Sequence, residues 1–166
     1  MLNNEVAMAT VVDERGEPLT SMAVVIEQRR LLPADKPVDG MASIVALGTS
    51  VSIHGSPEDF GESDASLFLA PRRMAAESFG SHAVLIEPAQ ARAFALLSGR
   101  VLKAERRTVV QTGREIVVME ARTAGGFVVT VCLDGAAHSG LPPVGGTVSG
   151  TVFMVASLDT WQKSQS

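Results

Sequence analysis

One cysteine, one tryptophan and no tyrosine occur in 166 residues, and aromatic side chains make up only 4% of the chain. Cys132, being alone, excludes an intrachain disulfide and any zinc site built on several thiolates. The scarcity of rings argues against a surface that stacks single-stranded bases, where each stacked base contributes about 1–3 kcal/mol. No apolar run reaches the roughly 18 residues of a membrane-spanning helix. The opening "MLNNEVAMAT" lacks the basic and apolar regions of a secretory signal. The expectation is a cytoplasmic protein with no membrane partner.

Catalytic signatures are missing as well. His54, His82 and His138 form no HxH or HExxH pair, and no GxSxG elbow presents a serine. The glycine pairs in "AGG" and "VGG" read as turns, since neither opens a helix as a phosphate-binding loop does. "HGSPED" sets His54, Ser56, Glu58 and Asp59 in one loop, and "DGAAHSG" sets Asp134, His138 and Ser139 in another. Sequence neighbours in a loop seldom achieve the geometry of a nucleophile, a base and an orienting carboxylate. The expectation is no catalytic residue, no metal site and no cofactor.

What is present favours burial. Apolar residues make up 46% of the chain and charged residues 19%, and a chain of this length can bury about two-thirds of its unfolded surface. One domain over residues 1–159 is expected, with a frayed tail at 160–166. So apolar a chain also suggests burial against copies of itself, hence a homo-oligomer.

Local patterns point to β-structure. Residues 6–12 and 19–26 are rich in β-branched side chains and flank "DERGEP", which predicts a hairpin. "RRLLPADKPVDG" reads as a connection, "MASIVALGTSVSIHG" as strand, and "GSPEDFGESDAS" as a long polar loop. Residues 67–97 suggest two strand-to-helix segments. One has a helix starting at Pro71, Arg72 and Arg73 and ending at Gly80; the other has a strand at 83–86, then a helix from Pro88 to a cap at Gly99. From Ser98 onward, "RVLKAERRTVV", "REIVVMEART", "GFVVTVCLD" and "GTVSGTVFMVASL" read as four strands. The short glycine turns between the first three demand antiparallel neighbours. Gly150 in mid-strand marks a bulge or bend of the kind closed sheets need at corners.

In order of elements, residues 98–159 resemble an OB-fold: a strand, a meander of two more, a loop, and a strand with the "VSGTV" bend. The expected class is mainly β with a minor helical part. It is an antiparallel β-barrel, OB-like in its C-terminal part, with an N-terminal hairpin and strands over 1–66 and strand–helix segments over 67–97. The loop "GAAHSGLPPVGG" departs from the pattern, being too rich in glycine and proline for a helix, which leaves a β-sandwich or a different β-barrel open.

Charge is unevenly placed on a chain of net charge −4. Residues 1–66 hold 11 acidic and 4 basic side chains, and residues 67–166 hold 7 acidic and 10 basic. Arg100, Lys103, Arg106, Arg107 and Arg114 fall close together. Simple alternation sets Lys103 and Arg107 on one face and Arg106 on the other, with Glu105, Glu115 and Glu120 as ready partners. These five and the pair Arg72–Arg73 are the candidate contact residues. The leading function is a non-catalytic binding or assembly module that meets a protein partner, or the acidic half of a second copy, through this basic strand. A single-stranded nucleic-acid-binding accessory protein is the first alternative. The second is a small hydrolase or metal-dependent enzyme working from the His54 and His138 loops.

Overall fold

The computed structural model describes residues 6–32, 37–62, 67–69, 72–73, 75, 77–81 and 92–163. The chain is mainly β, with one mixed eight-stranded sheet, a separate two-stranded pair and one α-helix among the described residues. Strands β1 (Val6–Val12) and β2 (Pro18–Ile26) form the expected antiparallel hairpin. Asp13 fixes its turn by accepting the amides of Arg15 and Glu17 at 2.8 and 2.9 Å. A long strand β3 (Val38–His54) follows, then helix α1 (Pro57–Glu62). Short strands β4 (Leu67–Leu69) and β5 (Arg72–Arg73) pair with each other, and β6 (Ser78–Ser81) returns to the large sheet. The last four strands are β7 (Phe94–Thr108), β8 (Glu115–Arg122), β9 (Val128–Asp134) and β10 (Thr147–Lys163).

The sheet order is β1-β2-β10-β3-β9-β8-β7-β6, and β10 pairs with β7 as well. That extra pairing closes a ring of five strands, β7-β8-β9-β3-β10. Its interior is apolar: Leu97, Val101, Val117, Met119, Val131 and Val152 are fully buried, each worth about 1.5–3 kcal/mol when removed from water. Strand β2 is buried on both sides, which accounts for its unbroken "MAVVI". Met22 and Val24 face the main core, while Ala23 joins Val6 and Ala93 in a second cluster.

Gly150 makes the closure geometrically possible. Its φ of +143° is open to glycine, and a Cβ there would lie 2.0 Å from the Ser50 carbonyl oxygen of β3. The partner strand carries the matching irregularity: Thr151 pairs with Ser50 and Val152 with Gly48, leaving Thr49 unpaired. The expected bend is thus present.

Other expectations are overturned. The strands are not all antiparallel, because β2 runs parallel to β10 and β3 parallel to β9. The reason is β3 itself: coming from upstream of the meander, it enters the ring between β9 and β10, where no hairpin turn dictates its direction. No helix starts at Arg72–Arg73, which are the strand β5, and Gly80 lies in β6. Nor does a helix run to Gly99: β7 begins at Phe94, and Ala95, Leu97 and Val101 face inward at strand spacing. The expected strand at 83–86 and helix start at Pro88 lie outside the described residues. The "GSPEDF" stretch, read as loop, is α1. Ser56 Oγ accepts the Asp59 amide at 3.1 Å, Pro57 opens the first turn, and Phe60 is buried. Pairing of β10 with β3 persists to Lys163.

Beyond the ring, β3 and β10 continue as a two-stranded ribbon. Residues 39–43 are exposed on both faces, and their only strand neighbour among the described residues is β10. Met41 is 70% exposed there. No helix among the described residues is long and apolar enough to cross a membrane.

Candidate functional site

The positive charge of β7 is arranged by a β-bulge. Val101 pairs with Ala121 and Lys103 with Glu120, so Leu102 is unpaired. The extra residue reverses the parity of everything after it. Before the bulge Leu97 and Val101 face the core; after it Ala104 does. Arg100, Lys103, Glu105 and Arg107 therefore share the outer face, and Arg106 turns the other way. Simple alternation separates Arg100 from Lys103, and the bulge reunites them.

These cations are in different states. Arg106 is committed to the β9–β10 connection. Its Nη1 donates to the Gly135 carbonyl at 3.1 Å and its Nη2 to the His138 carbonyl at 2.6 Å, with Glu115 Oε2 at 3.4 Å. Arg107 is paired with Glu105 on its own strand. Lys103 stands opposite Glu120 across the strand pair without an ion pair of 4 Å or less, and neither Arg100 nor Arg114 has one among the described residues. For Arg72 and Arg73 only the backbone falls within the described structure.

The same outer face carries two polar rows that run across neighbouring strands. One consists of Ser78, Ser98, Ser149 and Ser52, on β6, β7, β10 and β3. Next to it lie Arg122, Arg100, Thr147 and His54, on β8, β7, β10 and β3. Ser98, Ser149 and Thr147 are buried although they sit outside the ring. Part of their cover is the chain before β6: Ser98 Oγ donates to the Ala75 carbonyl at 2.6 Å and lies 2.9 Å from Ser78 Oγ. Glu77 fastens the same segment by a two-pronged pair with Arg122, Nε to Oε2 at 3.2 Å and Nη2 to Oε1 at 2.9 Å. The Arg122 hydrogen bonds hold the Glu77 carboxyl below the usual glutamate range against the opposing pull of burial, and Arg100 adds to the lowering.

His54 lies at the end of the second row. Its Nε2 is 3.4 Å from Ser149 Oγ, and its ring meets Phe60 of α1 edge-on at 5.3 Å. The pair has the identities of a base and a nucleophile, but Ser149 is 2% exposed, and no carboxylate hydrogen-bonds the imidazole among the described residues. His138 is elsewhere. It lines an open groove of about 320 Å³ with Ile53 and residues 137–142, and Ile53 precedes His54 on a strand whose side chains alternate. Asp134 Oδ1 is engaged locally by the Ala136 amide at 3.0 Å. No cluster of three or more His, Cys, Asp or Glu side chains that could hold a metal occurs among the described residues. Cys132 is partly buried, and burial pushes its thiol up, with Arg107 pulling weakly the other way.

Glu77, Arg122 and Thr147 were not singled out by the sequence. Thr147 and Ser149 carry the visible signal, small polar residues in a β-rich segment, but alternation alone assigns them to solvent. Their partners depend on register among four strands. Compared with protein-family models, with curated proteins and with solved structures, the chain matches none.

Proposed function

We propose that this chain is a non-catalytic assembly module whose copies associate through the basic outer face of β7. The observation that carries the reading is the placement of Arg100, Lys103 and Arg114. Each projects from the β7–β8 hairpin with no acidic group within 4 Å among the described residues. The acidic surplus is equally unspent: Glu58, Asp59 and Glu62 on α1, and Glu14 and Glu17 in the first hairpin turn, are exposed and have no ion pair among the described residues. Exposed, unpaired groups of opposite sign on one chain fit pairing between copies, which steers encounter and fixes register. Residues 39–43 of β3 support the same reading, since they are exposed on both faces and their strand neighbour among the described residues is β10 alone, an arrangement marginal by itself in water.

We read the five-strand ring as an OB-like closed barrel that presents this wall rigidly, with one strand, β3, supplied from ahead of the meander. The outer residues of β7 beside the cations include no aromatic ring, which favours a protein surface over single-stranded nucleic acid. Sedimentation at low and high salt tests the proposal. The native chain should run as a dimer or larger assembly at low salt and dissociate with Lys103→Glu plus Arg114→Glu. A monomer at every salt concentration would end it.

A further inference from the structure

We infer that the row Arg122–Arg100–Thr147–His54 is a binding site for a compact oxyanion, with phosphate the group that fits it best. The inference rests on the orphaned hydroxyl of Thr147, which plays no part in the assembly reading. Thr147 Oγ1 is fully buried and has no hydrogen-bond partner. Leaving such a group unpaired is costly, so a buried hydroxyl without a partner marks a place where one belongs.

The chemistry around it selects an anion. Directly across from Thr147 on one side is Arg100, and on the other is His54. Cross-strand neighbours on one face stand about 5 Å apart, a spacing that lets one tetrahedral anion touch donors on either side of the central strand. Arg122, beyond Arg100, is neutralised by Glu77, whereas Arg100 has no ion pair of its own among the described residues. Two guanidinium groups against Glu77 leave a positive charge at the Arg100 end of the row, while the carboxylates of α1, with Asp59 beside Gly55, stand at the His54 end. The 3.4 Å separation of His54 Nε2 from Ser149 Oγ is too long for a strong hydrogen bond, so both retain capacity for a further partner. Guanidinium, hydroxyl and imidazole together make a donor set suited to phosphate oxygens and poor for a cation.

Arg100 is exposed, and its Nη2 lies 4.0 Å from where a Cβ on Gly145 would be. The guanidinium is thus folded toward the β9–β10 connection, where Gly145 puts no side chain in its way.

The test is thermal unfolding and calorimetric titration of the full chain with inorganic phosphate, against chloride at matched ionic strength. The native chain should gain melting temperature saturably with phosphate. Thr147→Val should weaken phosphate binding at least tenfold while leaving the unliganded melting temperature equal or higher, because it removes an unpaired hydroxyl at constant shape. Arg100→Ala should abolish binding. Arg30→Ala, at an exposed position after β2 and outside both the row and the basic face of β7, should leave it unchanged. A phosphoserine peptide run in parallel distinguishes the source: tighter binding than free phosphate means that the anion arrives on a chain, weaker binding that it arrives free. Absence of saturable protection, equal protection in Thr147→Val, or equal loss in Arg30→Ala would each overturn the inference.

Discussion

Replacing Gly150 with alanine tests the closure on which both proposed surfaces depend. The residue sits at φ +143°, a region essentially reserved for glycine, and occupying it with a side chain costs about 1–3 kcal/mol. Space adds a second cost. The new Cβ would stand 2.0 Å from the Ser50 oxygen and 2.8 Å from Val51 Cα, both backbone atoms of β3. Relief requires β3 and β10 to part there, at the expense of about two ladder hydrogen bonds of about 1 kcal/mol each. Gly150→Ala is therefore expected to lose about 3–5 kcal/mol, a large share of the 5–15 kcal/mol typical of a domain. Urea denaturation followed by far-UV circular dichroism gives the comparison, with Gly80→Ala as control. Gly80 also lies in a strand but has negative φ and nothing within 4 Å of its Cβ position, so its variant should stay within about 0.5 kcal/mol of the parent. A Gly150→Ala protein within 1 kcal/mol of the parent, at unchanged m-value, would refute the close approach of β3 to β10.

Three further outcomes follow from the same geometry. Phe60→Ala should release α1 from His54: amide exchange across residues 57–62 should accelerate, while the exchange of β8 and β9 amides stays slow. The Glu77–Arg122 pair should matter in acid. The folded-state carboxyl titrates below the unfolded one, so its contribution is complete above the unfolded value of about 4.3 and disappears as pH falls through the lower folded value. The melting temperature of the parent should therefore drop more steeply below pH 4 than that of Glu77→Gln, and parallel acid profiles would count against the pair. Cys132, with its thiol pushed up by burial, should react with iodoacetamide at pH 8 more slowly than in the urea-unfolded chain. Equal rates would mean that the thiol is open to solvent.

Much of the β-architecture was legible because its signals are local. The hairpin of β1 and β2 follows from β-branched runs around "DERGEP", and the meander from short glycine turns. Gly150 announced its bend by standing inside a strand. What misled was spacing with two readings. Ala93, Phe94 and Leu97 fit a helical face, yet Ala95, Leu97 and Val101 fit a strand equally well, and pairing of β7 with β6 and β10 decided for the strand. The "SPED" start of α1 was readable as a capped helix, since serine before proline and two acids satisfies the free amides of a first turn. Its glycines and acids fit loop chemistry equally well, which hides the helix from local pattern alone.

The candidate sites were harder to see for a reason that applies to any closed sheet. A face is defined by parity along a strand, and parity survives only until the first bulge. One unpaired residue, Leu102, moves Arg100 onto the face of Lys103 and Arg107 and sends Arg106 toward the loop at His138. The sequence contains the five cations but not the bulge that sorts them. Thr147 is one step further removed, because its neighbours come from β3 and β7, some 93 and 47 residues away. The donors that meet there are fixed by register between strands distant in sequence, so the oxyanion site becomes visible only once the ring has closed.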